Sequence, residues 1–163
     1  MRKFCVCLVI ILFTGLISCT GYVGSHKKKE IKGAIDKVLS YDISYDDELR
    51  NYINEENFYT SNYRFFYTLF LGDLSSFEYN SKLVSVKKDG DQYVACLLLN
   101  LKAEGKEVYD NEETDGEGHR ASAEGVDVPI EVVLKETKKG FYIKSVKEYD
   151  SLEIAKEQCN GFK

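Results

Sequence analysis

His26 and His119 are the only two imidazoles in a chain of 163 residues. Chemistry that needs a base near neutral pH therefore rests on them or on a carboxylate moved from its ordinary range. His26 lies in a stretch read as a tether, and His119 sits among glycines and acids, so neither is positioned as a base in a cavity. No Gly-x-Ser-x-Gly elbow, His-Glu-x-x-His, Cys-x-x-Cys or phosphate loop occurs after residue 18. Glu78 opens a strand on the face opposite Phe77 and Tyr79, where a solvated edge carboxylate is the simpler reading. Tyr59, Tyr63, Phe66, Tyr67 and Phe70 form an aromatic set on one helical segment. Such a stripe is ordinarily core, and it becomes the wall of an apolar ligand pocket only if hydroxyls converge on empty space. No catalytic residue, metal or cofactor is expected, and an enzyme would require a buried carboxylate with a raised pKa in that cavity.

The segment 104–127 holds nine acids against Lys106 and Arg120. Its centre, with Asp110, Glu112, Glu113, Asp115 and Glu117, is too polar and glycine-rich to pack. It reads as a long connecting loop, either solvated or a docking site for a basic partner. Asn111-x-Glu113-x-Asp115-Gly116 partly resembles the start of an EF-hand loop, but Ser122 stands where the terminal bidentate glutamate belongs.

The chain opens Met-Arg-Lys, continues with ten apolar residues from Phe4 to Phe13, and closes on Thr14-Gly15-Leu16-Ile17-Ser18-Cys19. That is the pattern of a secretory leader, too short and interrupted for a spanning helix. Leu16-Ile17-Ser18-Cys19 resembles the lipobox of bacterial lipoproteins. The resemblance implies a signal peptide over 1–18, acylation of the Cys19 thiol, and a lipidated tether over 19–29 outside the cell membrane. Two or more acyl chains, at about 0.8 kcal/mol per buried CH2, hold a protein stably where one does not. Lys27, Lys28 and Lys29 are expected ahead of the first helix, near anionic headgroups.

Loss of the leader removes Arg2 and Lys3, so the charge moves from 22 cations against 27 acids to 20 against 27. The acidic segment alone accounts for that excess. Nucleic acid is disfavoured as a partner, since phosphate binding rests on Lys and Arg. Cys5 and Cys7 leave with the leader, and Cys96 and Cys159 remain as thiols. Export permits a disulfide between them, worth about 4 kcal/mol in the chain-entropy model. Cys96 also fits an apolar strand as a plain core residue.

Past the tether, 30–163 reads as one domain. Ile31, Ala34, Ile35, Val38 and Leu39 mark one face of a helix beginning at Glu30. Asp46 or Asp47 caps a short second helix with Leu49, Tyr52 and Ile53 inward. Phe58 to Phe70 forms a third that stops at Gly72. The period then changes to two. Strands are expected at Phe77–Lys87, Tyr93–Lys102, Val126–Glu136 and Phe141–Tyr149, with hairpin signals at Asp89-Gly90 and Lys139-Gly140. Asp150 caps a last helix, with Glu153 completing a capping box.

Helices followed by long antiparallel strands make an α+β fold, with the N-terminal helices packed on a curved sheet. The order of elements, the Asp89-Gly90 hairpin and the closing Lys139-Gly140-Phe141-Tyr142-Ile143-Lys144-Ser145-Val146 resemble the nuclear transport factor 2-like superfamily over roughly 28–150. A cystatin-like arrangement is the alternative. The resemblance implies a cone whose mouth is the functional place. The expected function is a membrane-anchored, extracytoplasmic lipoprotein with a non-catalytic binding or adaptor domain, partnered by an envelope protein or wall component. A cone pocket for a small apolar ligand is the alternative, and a lyase or isomerase the third reading.

Overall fold

The computed structural model describes residues 22–42, 44–106 and 121–163. The leader, Cys19 and the central acids Asp110, Glu112, Glu113, Asp115 and Glu117 lie outside the described residues, as does His119. Among those described, no helix is long and apolar enough to cross a membrane.

The fold is α+β. Helix α1 (Ser25–Leu39), a 3-10 turn at Leu49–Asn51, α2 (Glu55–Ser61) and α3 (Tyr63–Leu71) precede four strands, β1 (Leu74–Asp89), β2 (Gln92–Gly105), β3 (Ser122–Thr137) and β4 (Gly140–Glu148). The strands form one antiparallel sheet in the order β1-β2-β3-β4. Helix α4 (Leu152–Gln158) and a turn at Asn160–Phe162 follow.

Period-two alternation explains the sheet's two faces. On β2 the residues Tyr93, Ala95, Leu97, Leu99, Leu101 and Ala103 are all buried against the N-terminal helices. Ile130, Val132 and Leu134 of β3 and Phe141 and Ile143 of β4 complete that layer. Each such fully buried aliphatic contributes about 1.5–3 kcal/mol relative to exposure. Register shifts at Leu83/Ser85, Leu99/Leu101 and Val133/Leu134 are the bulges that bend these long strands. Gly90, at φ 60°, and Gly140, at φ 118°, supply the left-handed residues of the two hairpins.

Several expectations need correction. The helix start expected at Glu30 lies five residues earlier, so Lys27, Lys28 and Lys29 stand within the first turn and a half of α1 rather than in a tether. The dipole penalty is offset at Lys27, whose ammonium reaches the Glu136 carboxylate at 2.9 Å and the Tyr93 hydroxyl at 3.4 Å. The single helix expected over Phe58 to Phe70 is two helices broken at Asn62. The acidic segment is shorter than expected: Glu104 pairs with Ser122 across β2 and β3, and Lys102 with Glu124. Between them, Ala103 faces Ala123, and an unbroken backbone ladder with one apolar side outweighs the charges on the other. Asp127 also lies within β3. The last helix is capped by Ser151, whose hydroxyl accepts from the Ile154 amide at 3.2 Å, and not by Asp150.

Candidate functional site

Asn62 builds the site. It is 1% exposed, and it ends α2 and begins α3. Its side-chain oxygen accepts from the Phe65 amide at 2.7 Å. Its amide group donates to the carbonyls of Val38, at 2.8 Å, and Tyr41, at 3.0 Å, at the end of α1. One side chain thus caps α3, ties it to α1 and redirects the chain so that α3 leans over the sheet. The sequence reading missed it, although an Asn within an apolar helical run is a cap signal.

Under that bend lies a cavity of about 230 Å³, lined by Thr60, Ser61 and Asn62 at the break and by Tyr63, Phe66 and Tyr67 of α3. Leu101, Val128, Val146 and Glu148 form the sheet side. Two larger concavities, of about 440 and 550 Å³, are open surface grooves. Of the five aromatics read as a pocket, the structure brings three to the cavity. Tyr59 turns away and packs its ring 5.2 Å from Phe58 and 4.8 Å from Phe65. Phe70 points outward, 70% exposed, 4.6 Å from Phe66. Breaking the helix at Asn62 rotates the Tyr59 turn relative to α3, which is why a single helical stripe misplaces it.

The polar feature of the wall is Tyr63, whose hydroxyl donates to Glu148 Oε2 at 2.6 Å. Burial, reinforced by that carboxylate, pushes the Tyr63 phenol well above its ordinary pKa, so it stays protonated as a donor. Glu148 itself is exposed at the rim. Tyr67 is buried, and burial likewise raises its phenol. A Cβ on Gly125 would stand 3.0 Å from a methyl of Val128, so glycine there spares the Val128 side chain of the wall. Beside it Asp127 holds φ 50°, its amide bonded to Asn100 Oδ1 at 3.1 Å. This strained bulge aims the adjoining Val128 into the cavity wall.

The wall therefore offers apolar surface and a phenol–carboxylate pair whose internal proton is shared, leaving oxygen acceptors toward the cavity. It holds no nucleophile–base pair of the kind that acyl or phosphoryl transfer requires. His26, on the first turn of α1, is exposed and faces Glu30 at 3.5 Å. Glu78 is exposed on β1. Among the described residues, the one grouping with metal-ligand spacing is Cys96, Glu131 and Cys159, on the far face of the sheet.

No family model matches the chain, and no curated protein does. Among solved structures, the intermembrane space region of the chloroplast protein ARC6 is similar at 14% identity, covering 80% of this chain and 100% of that one, with a TM-score of 0.41. A likeness that slight supports no conclusion about fold or function.

Proposed function

We propose that this chain is a lipid-anchored, extracytoplasmic binding protein whose domain takes a small ligand with an apolar body and one hydrogen-bonding group. The observation that carries the reading is the cavity of about 230 Å³ with the Tyr63–Glu148 pair at its rim. Leu101, Val128 and Val146 make the sheet side apolar and Phe66 faces them from α3, while the Tyr63–Glu148 pair presents phenol and carboxylate oxygens as acceptors. A neutral ligand suits it, because the carboxylate repels an anion and the apolar walls do not solvate a cation.

The anchor rests on Leu16-Ile17-Ser18-Cys19 and the leader before it. Acylation of Cys19 places the domain on the outer side of the cell membrane. Helices ahead of an antiparallel meander suit both the nuclear transport factor 2-like cone and the cystatin-like arrangement, and the cavity between helix and sheet is the feature that supports the cone. A buried carboxylate would favour a lyase or isomerase, whereas the rim position of Glu148 favours binding.

The test uses the neutral fluorophore N-phenyl-1-naphthylamine with the native chain and a Val128→Trp variant, which fills the cavity. Saturable fluorescence that is lost in the variant is expected. Equal fluorescence from both proteins overturns the pocket reading. Fatty-acid labelling in the host, abolished by Cys19→Ser, tests the anchor separately.

A further inference from the structure

The face of the sheet turned away from the cavity carries a small core of its own. Cys96 and Leu98 of β2 point to that side, and α4 with the Asn160–Phe162 turn closes over them together with Tyr149. Cys96 and Cys159, 63 residues apart in sequence, meet there with their sulfurs 3.5 Å apart. Both are buried, 1% and 8% exposed. The chain is fitted closely around them. A Cβ on Gly161 would stand 2.3 Å from Cys96 Sγ and 2.8 Å from Ser85 Oγ, so only glycine passes over the thiol. Ser85 in turn donates to the Gly161 carbonyl at 2.7 Å. Cys159 ends α4 in an extended conformation, φ −129° and ψ 118°, free of the helix's own constraints.

We propose that Cys96 and Cys159 are joined as a disulfide that ties the C-terminal segment to the middle of the sheet, and that the bond forms while the chain folds. Two thiols each lose a proton, the pair gives up two electrons, and an S–S bond forms. A disulfide carrier accepts the electrons and protons and leaves as free thiol. The sulfurs must close from 3.5 Å to about 2.05 Å.

Timing follows from access. Exchange needs a thiolate within reach of the carrier. Once α4 has docked, neither sulfur is accessible, and burial pushes the Cys96 thiol up to about 12. The same burial then shields the finished bond from reductants. Glu131 completes a cluster whose ligand atoms lie within 4.8 Å of one another, so a thiophilic divalent cation is the competing occupant. The cluster offers three donors where a structural zinc takes four. Glu131 also accepts a hydrogen bond from the Tyr149 hydroxyl at 3.2 Å. In the cell the bond relies on the oxidising surroundings that export provides, but the chemistry can be tested without that premise.

The full-length chain is unfolded, reduced, and refolded in a glutathione redox buffer, then digested with trypsin. The expected product is peptide 89–102 joined to peptide 157–163, absent from Cys159→Ser. It should appear about tenfold faster during refolding than when the folded, reduced protein meets the same buffer. Mass spectrometry reads the joined peptide on the native sequence, so the result does not depend on a variant folding. Three outcomes overturn the proposal: both peptides remaining as thiols, Cys96 pairing with another cysteine, or zinc binding stoichiometrically and protecting both thiols from oxidation. Loss of N-phenyl-1-naphthylamine binding leaves this result unaffected, since the cavity lies on the other face.

Discussion

Helices α1 and α3 are both patterned with apolar residues, and both lie on the same face of the sheet. Their side chains end up in opposite circumstances. Ile31, Ala34, Ile35, Val38 and Leu39 of α1 are all buried, four of them at 0% exposure. On α3 only Tyr67 is buried, while Phe66, Leu69 and Phe70 stand 51%, 66% and 70% exposed. Apolar content therefore does not separate a structural helix from one that frames a site. The geometry at the start of each helix does. Helix α1 lies along the sheet and is held by its apolar stripe, whereas α3 is hung from Asn62 and bridges a space it does not fill. That contrast can be attacked at several points.

The hardest blow falls on α1. Ile35→Ala should destabilise the domain by about 2–5 kcal/mol, because a fully buried branched side chain leaves a cavity that its neighbours close only in part. Urea unfolding measures it. If the loss is under 1 kcal/mol, α1 is not the principal structural helix and the comparison fails.

Asn62 comes next. Asn62→Ala removes the cap of α3 and leaves the Val38 and Tyr41 carbonyls without their donor. A cost of about 2–3 kcal/mol is expected. Binding of N-phenyl-1-naphthylamine should weaken more than it does in an α1 variant of equal stability. Asn62→Asp keeps the cap acceptor but not the two donated bonds, so it separates capping from tethering.

How far the sequence foretold this arrangement differs between the same two helices. For α1 the period of 3.6 names all five buried residues, because one apolar face meets one flat partner. The strands are as legible, since alternation on β2 and β3 decides which side chains point to the core. The break at Asn62 is not legible from periodicity, because Phe58, Tyr59, Tyr63 and Phe66 keep helical spacing across it. Tertiary hydrogen bonds to α1 decide the break, and they connect residues more than 20 positions apart. Glu148 was equally hidden, since its approach to Tyr63 spans 85 residues and depends on the bulge in β4's pairing with β3.

Acid should act on the α1 side. The bond to Tyr41 holds Asp46 below its ordinary carboxylate range, Lys37 does the same for Glu48, and Lys27 for Glu136. Groups with depressed folded pKa values contribute stability above their unfolded values, near pH 4, and lose it as pH falls through the folded ones. Stability should be nearly level from pH 7 to 5 and decline below about 4. Glu48 and Glu136 are solvent-exposed and Asp46 is only half-buried, so screening keeps the effect modest. Lys27→Met should shallow the decline, and an unchanged acid profile would remove Glu136 from the account.

A smaller change is expected at the cavity rim. Tyr63→Phe deletes one hydroxyl and leaves the ring, costing about 1 kcal/mol of stability. A pure hydrocarbon such as naphthalene should bind nearly as before, while N-phenyl-1-naphthylamine, which carries an N–H group, weakens about fivefold. Equal weakening of both would mean that Tyr63 shapes the wall and does not recognise a polar group.

The least effect belongs to the outer face of α3, and it decides the comparison most directly. Phe70 stacks on Phe66 at a centroid distance of 4.6 Å but covers no core. Phe70→Ser therefore gives up one exposed aromatic contact, and the change in unfolding free energy should stay within about 0.5 kcal/mol. The equivalent polar change on α1, Ile35→Ser, should leave the domain largely unfolded, since it adds an unsatisfied hydroxyl to a cavity. Two apolar residues of similar size, on two helices over one sheet, would then differ because only one helix has its apolar face covered. A loss at Phe70 approaching that of Ile35→Ala would mean that α3 is held by its aromatic face, and the cavity beneath it would be an incidental gap in packing.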